Sequence, residues 1–292
     1  MKVSFIVATP LQVLICMAIL RQLDNVESVD VFVVGYFDDA EKVCARLNEN
    51  FSSVAKFRYF LKYRHALTEA ARHGFDKLFI HWDIGFRTNL ALRMFSARCK
   101  ATSICVFEEG IGTYRNDIYR GFKKRLFRAV GLPLNIGAHG LVDCIYLYEP
   151  CEYLNSVYAA PASVVRIAYN VSDLIAECMG GLIAVFDPGG FINGLLSAPN
   201  EKCILYLTGW GVERMVINSL GASVGYKVLK LHPHIINRDD FAALGFDLPP
   251  NCLPAEVLIS SLCAKFGEVE VYHHGSSVIR YARGVNINYI RI

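Results

Sequence analysis

Apolar and polar positions fall in blocks along the chain. Short runs rich in β-branched and aromatic residues are each followed by longer stretches whose apolar positions recur every three to four residues. KVSFIVA (2–8), VDVFVVGY (29–36), KLFIHW (77–82), TSICVFEEG (102–110) and DCIYLYEP (143–150) read as strands. Helices are expected from Pro10 onward, over DDAEKVCARLNEN (38–50), HALTEAARHG (65–74) and RTNLALRMFSARC (87–99). Strands that are apolar throughout, alternating with helices, describe parallel sheets covered on both faces. The rhythm lapses over 150–200, where EPCEYLNSVYAAPAS and DPGGFINGLLSAPNEK read as loop-rich and hold four of the ten prolines. It resumes with CILYLTGWG (203–211), YKVLKLHPH (226–234), the helix-like PAEVLISSLCAKFG (254–267), VEVYHHGSSVIRYARG (269–284) and VNINYI (285–290). The expected architecture is α/β, with two Rossmann-like parallel-sheet halves facing each other across a cleft, divided into residues 1–155 and 156–292.

The mean hydropathy of +0.32 raises the question of a membrane segment, and VSFIVATPLQVLICMAIL (3–20) is its best candidate. Pro10 divides that run. The residues before it suit a strand, and proline in a first helical turn sacrifices no hydrogen bond. A spanning helix interrupted at its centre would leave backbone groups unpaired in lipid, and no small-residue cleavage site follows. A buried strand and helix is the expectation.

Composition narrows the class further. Of 292 residues, 53% are hydrophobic and 20% charged, a globular balance. A net charge of +3 is too mild for a general nucleic-acid binder, which usually shows concentrated basic stretches. The ten cysteines form no CxxC pair, so free thiols in a reducing cytoplasm are expected in place of a zinc ribbon or a disulfide framework.

Ligands of open α/β sheets bind beyond the carboxyl ends of strands, so the residues there are the candidates. The first half offers Glu108, Glu109 and Gly110. Paired acids at a strand end serve either as a polar terminus entering solvent or as a carboxylate base in a cleft. The second half offers Thr208 and Gly209, then His232 and Pro233, then Gly275, Ser276 and Ser277. Each of these has a plain structural use as a turn or helix start. Together they describe acids on one wall and an imidazole with hydroxyls on the other. Ser276 and Ser277 at a helix start would favour an anion, and His232, held extended by Pro233, would reach a phosphate oxygen. GIGTYR and GWGVER lack the third glycine of a dinucleotide fingerprint. Walker, DxD and GxSxG motifs are absent from the sequence.

An acid-acid-Gly motif, then His-Pro, then Ser-Ser, in that order, resembles the bacterial sialyltransferases of the lipooligosaccharide, O-antigen and polysialic-acid type. ATPLQ (8–12) and LPAEVLI (253–259) are similar to segments of that group. The resemblance implies a GT-B fold, CMP-sialic acid as donor, and inverting transfer to a glycan hydroxyl, such as that of a galactose-terminated acceptor, with neither metal nor cofactor. It implies Glu109 as general base with Glu108 as the other candidate, His232 as support for the departing CMP phosphate, Ser276 and Ser277 as phosphate ligands, and Glu256 on the ribose. Glu108 beside Glu109 is expected to raise the base's pKa. Two alternatives stay open: a donor carrying another CMP-activated acid such as Kdo, and a non-catalytic nucleotide-binding α/β protein. The implied setting is cytoplasmic, in assembly of bacterial lipopolysaccharide, O-antigen or capsule. YRGFKKRLFRAVGLP (119–133), a basic amphipathic segment, reads either as a solvated helix face or as a peripheral contact with the inner membrane that would suit a lipid-linked acceptor.

Overall fold

The computed structural model describes residues 1–157, 163–195, 202–209, 211–232, 235, 241 and 244–292. The chain forms two compact units. One comprises Met1–Tyr36 with Ala40–Asn170, the other Phe37–Asp39 with Val171–Ile292.

The first unit is built on a seven-stranded sheet in the order β3-β2-β1-β4-β5-β6-β7. Its strands are β1 (Lys2–Val7), β2 (Ser28–Val34), β3 (Lys56–Phe60), β4 (Lys77–Ile80), β5 (Ser103–Phe107), β6 (Cys144–Leu147) and β7 (Ser163–Arg166). Every pairing is parallel. The central strands are apolar on both faces because helices cover both. Phe5 stacks on Phe79 with centroids 4.4 Å apart and meets Phe107 edge-on at 6.1 Å.

Pro10 does divide the first apolar run: β1 ends at Val7 and a helix spans Pro10–Leu20. The ATPLQ turn between them is locked reciprocally. Thr9 Oγ1 accepts from the Gln12 amide (3.3 Å), and Gln12 Oε1 accepts from the Ala8 amide (2.7 Å). Among the described residues no helix is long and apolar enough to cross a membrane. All ten cysteines are free.

Two parts of the fold differ from the sequence expectation. β3, KFRYF, escapes the pattern because Lys56 and Arg58 interrupt its apolar face. It is an edge strand, and Arg58 is held by Asp30 on β2 (2.8 Å) and by Glu69 (3.1 Å). The stretch 150–200, expected as loop, holds the helix Pro150–Ser156, β7 and the helices Val171–Phe186 and Phe191–Leu195. Pro150 starts a helix there, and Tyr153 is fully buried, its hydroxyl donating to the Ile136 carbonyl at 2.6 Å. Val171–Phe186 contains Gly180 and Gly181, poor helix formers in isolation, but packs against the helix Ala255–Lys265. A division at 155/156 falls ahead of β7, which pairs with β6 in the first sheet.

The second unit has a four-stranded parallel sheet in the order β11-β10-β8-β9: β8 (Lys202–Leu207), β9 (Tyr226–Lys230), β10 (Glu268–His273) and β11 (Ile287–Arg291). Asp38 belongs with this unit through the Asn251 amide, which donates to its Oδ2 at 2.7 Å.

Candidate active site

In the first sheet the chain winds outward from β1 in both directions, so strand order reverses between β1 and β4. Ligands of such sheets bind at that switch, beyond the carboxyl ends. Asp83 follows β4, and Glu108 and Glu109 follow β5, the next strand over.

The two glutamates part company. Glu108 is fully buried, and its Oε2 accepts the Tyr148 amide (2.8 Å) and the Tyr114 hydroxyl. Tyr114 Oη in turn accepts from the Glu149 amide at 3.1 Å. Glu108 thereby ties the end of β5 to the end of β6 and to the 3-10 turn Ile111–Tyr114.

Glu109 is only partly buried. Its amide donates to Thr113 Oγ1 (2.9 Å), which fixes the backbone. No side chain or amide of a described residue hydrogen-bonds its carboxylate. Gly110 has φ +110°, a conformation that favours glycine, and turns the chain into the 3-10 turn. Gly112 leaves room for the carboxylate, since a Cβ there would stand 2.9 Å from Glu109 Oε1. The Glu109 carboxyl is pushed up from 4.5 to about 7, first by burial and second by the negative charge of Asp83. The like-charge neighbour is thus Asp83, where the sequence suggested Glu108.

Asp83 was not singled out from sequence, because a lone acid two residues before Gly85 looks like an ordinary strand-to-helix turn. It is fully buried. Its Oδ1 accepts from the Gly137 amide (2.9 Å) and its Oδ2 from the His139 amide (3.0 Å). Burial raises it to about 6 against the lowering effect of those amides. Gly137, at φ +81°, cannot carry a side chain: a Cβ would lie 2.6 Å from Ile145 Cδ1 and 2.8 Å from Tyr153 Oη. A rigid glycine loop therefore holds the charge that tunes Glu109.

In the second sheet the order reverses between β8 and β10. Thr208 and Gly209 follow β8, and His274 to Ser277 follow β10. Thr208 Oγ1 accepts from the His232 amide at 2.7 Å, and the Thr208 amide donates to the Lys230 carbonyl at 3.1 Å. This brings His232, just past β9, to the switch. Pro233 lies outside the described residues. A Cβ at Gly209 would meet the His274 ring at 3.6 Å, an ordinary contact, so His274 packs directly against this turn. His274 Nε2 is 2.8 Å from the Tyr206 hydroxyl.

Gly275 adopts φ +79°, and the amides of Gly275 and Ser276 both donate to His273 Nδ1 (3.0 and 3.2 Å). An imidazole accepting at Nδ1 is neutral, in keeping with the downward shift that burial, Arg291 and His274 impose on it. Ser276 Oγ accepts from the Val278 amide (3.3 Å). Ser277 precedes a helix of four residues, Val278–Tyr281, and makes no side-chain cap. The helix start expected at the two serines is present, but it is short and two of its approaching amides are already used.

Glu256, in the first turn of the helix Ala255–Lys265, is 4% exposed. Burial raises its carboxyl to about 7, opposed by its own amide and by buried Lys230. Lys230 Nζ donates to the Asn251 carbonyl at 3.0 Å. Among the described residues no three His, Cys, Asp or Glu side chains gather as a metal site.

With this geometry in place, the chain can be compared with known proteins. No sequence family profile matches it, and no curated protein sequence matches it either. Solved structures do. An α/β-galactoside α-2,3-sialyltransferase from the luminous marine bacterium Photobacterium phosphoreum superposes with a TM-score of 0.59 at 9% identity, covering 99% of this chain and 89% of the other. UDP-GlcNAc 2-epimerase from Neisseria meningitidis, bound to UDP-GlcNAc, gives 0.50 at 15% identity, covering 94% and 78%. The fold is GT-B-like. At such identities the likeness concerns the fold alone.

Proposed function

We propose that this protein is an inverting, metal-independent sialyltransferase that moves sialic acid from CMP-sialic acid to a glycan hydroxyl, with a galactose-terminated acceptor the first to test. The observation that carries the reading is Glu109: a partly buried carboxylate at a strand end, pushed up to about 7, with no described residue hydrogen-bonded to its oxygens. A general base works best with a pKa close to the operating pH. Burial and a pinned like charge supply that at Glu109, while Glu108 is committed to holding two strands together. The first unit is the acceptor side and the second binds the CMP-sugar.

The roles follow from the chemistry of the step. Glu109 takes the proton of the acceptor hydroxyl as its oxygen attacks the anomeric carbon from the face opposite the leaving group. The glycosidic C–O bond breaks, and its electron pair leaves on a phosphate oxygen of CMP. His232 stands by that oxygen, and the hydroxyls of Thr208, Ser276 and Ser277 supply donors to the phosphate. Gly209, Gly110 and Gly275 let the backbone pass close to the ligands. Glu256 holds the ribose hydroxyls. The fold shared with the Photobacterium enzyme, which acts on galactosides, supports this reading. A donor carrying Kdo or another CMP-activated acid would use the same residues.

The test is CMP release from CMP-sialic acid with a galactose-terminated acceptor in the presence of EDTA. Turnover that persists under chelation supports the proposal, and CMP-Kdo tested in parallel decides the donor. CMP binding without turnover on any acceptor indicates a nucleotide-binding protein, and absence of CMP binding ends both enzyme readings.

Partner and place follow from the helix Gly121–Ala129, which buries no residue. Phe122 is 80% exposed, and Leu126 and Val130 are exposed beside Lys124 and Arg125. On the opposite side Phe127 packs on the core with Tyr119, and Lys123 Nζ lies 4.8 Å above the Tyr119 ring. The proposed arrangement is a cytoplasmic enzyme lying on the inner membrane through this helix. Co-sedimentation with phosphatidylglycerol vesicles is expected to fall about tenfold in Phe122→Glu/Leu126→Glu and with added salt. Undiminished binding of that variant would remove the helix from the membrane contact.

A further inference from the structure

The first unit also carries a groove between the helices Tyr63–His73 and Phe86–Arg98, with a volume of about 1360 Å³. That exceeds the few hundred to about 1,000 Å³ of ordinary small-molecule pockets and suits an extended ligand. Two features set its chemistry. Lys62, Arg64, Arg87 and Arg98 line it, and no aspartate or glutamate does. None of these four cations forms an ion pair or a side-chain hydrogen bond with a described residue. Along one wall runs an apolar row: Phe86, Leu90 and Met94, spaced four apart on one helix face, are 68%, 53% and 55% exposed. The same helix buries a different row, Asn89, Leu92 and Phe95. Packing within the unit therefore uses a different face of the helix, and the apolar row Phe86, Leu90 and Met94 is open to solvent along a cationic groove.

The groove reaches the chain just past β4. His81 and Trp82, at the end of β4, form part of its lining, and Asp83 is the next residue. Tyr63, which also lines it, donates from its hydroxyl to the Trp82 carbonyl at 3.3 Å.

We infer that this groove binds an anionic amphiphile, the phosphate-bearing lipid carrier of the acceptor, with the head group on the cations and the chain along Phe86, Leu90 and Met94. A polyanionic sugar would satisfy the arginines and leave the apolar row in water. A neutral lipid would do the reverse and leave four cations uncompensated. Only a ligand with both parts matches both features. That this amphiphile is the acceptor's carrier rests on the transferase proposal; that the groove takes such a molecule does not.

The test is a titration of the whole chain with dodecyl phosphate below its micelle concentration, read by tryptophan fluorescence. Trp82 is the reporter, identified by loss of the signal in Trp82→Phe. The expected result is saturable binding, about tenfold or more tighter than that of dodecyl maltoside, with no response to inorganic phosphate. Arg64→Glu/Arg98→Glu and Met94→Asp are each expected to weaken it about tenfold, some 1.4 kcal/mol. Those positions are exposed, so the variants fold, as circular dichroism would verify. Equal binding of dodecyl maltoside, a response to inorganic phosphate alone, insensitivity to either variant, or no binding at all overturns the inference. Sugar transfer without dodecyl phosphate binding removes the groove and leaves the transferase; binding without CMP release removes the transferase and leaves the groove.

Discussion

Glu109→Gln is expected to abolish sugar transfer while making the protein more stable at pH 8. The first half follows from losing the base, worth about 10²–10⁴ in rate. The second follows from where the carboxyl titrates: near 7 in the folded chain against 4.5 when unfolded. The folded state holds that proton more tightly, so the group favours folding fully below about 4.5. The benefit is lost as pH rises through about 7, where burial and Asp83 oppose the bare charge. Glutamine never ionises, so the variant avoids a cost of up to about 3 kcal/mol, reduced by whatever solvent reaches the carboxylate. Thermal melts at pH 5 and pH 8 should therefore nearly coincide for the two proteins at the lower pH and separate at the higher. Wild-type kcat/KM should climb as pH rises, with a single deprotonation through about pH 7, and Asp83→Asn should move that limb to lower pH by removing the second cause of the shift. A fully active Glu109→Gln, or one less stable at pH 8 than at pH 5 relative to wild type, is incompatible with Glu109 as a strained base.

This pairing of lost activity with gained stability is the mark of a group held where folding alone would not put it. It also explains which parts of the site could be read from sequence. The strands that carry site residues were visible because their apolar runs are continuous, and a parallel sheet places functional groups directly after such runs. Glu109, Thr208, His232 and Ser276 were expected after strands for that reason, and the structure places them there. Asp83 was passed over because a single acid in HWDIG looks like any strand-to-helix turn. Its importance comes from two amides of a loop more than fifty residues later, and no local pattern encodes that. The 150–195 region failed for a related reason. Its prolines and glycines are local signals for loops, whereas Tyr153 under the first sheet and the packing of Val171–Phe186 on Ala255–Lys265 are tertiary effects that outweigh them. The adjacency of Glu108 and Glu109 misled in the opposite direction. Glu108 turns inward to Tyr148 and Tyr114, so the charge that acts on Glu109 comes from Asp83 on the neighbouring strand's end and not from its sequence neighbour.

Glu108→Leu is the complementary experiment, with the opposite expected signature. The buried Glu108 carboxylate accepts the Tyr148 amide and the Tyr114 hydroxyl. Leucine fills a similar volume but offers neither donor a partner, and a buried donor left unsatisfied costs about 1–3 kcal/mol. Tyr114 keeps the Glu149 amide as a donor to its oxygen, so the larger loss falls on the main chain of Tyr148, where β6 ends. A total near 3 kcal/mol lowers the melting temperature by roughly 6–12 °C for a unit of this size. Glu108→Gln retains one accepting oxygen and should lose less than half of that. Assayed well below its melting point, Glu108→Leu should keep much of its turnover, because the carboxylate that takes the proton is still present. Its kcat/KM should still rise through about pH 7, since Asp83 and burial, the causes of the Glu109 shift, are unaltered. If Glu108→Leu instead loses turnover by 10² or more with an unchanged melting temperature, the two glutamates exchange roles. The base would then be a carboxylate already sharing its oxygen with a tyrosine, and the pH limb would no longer have Asp83 as a cause.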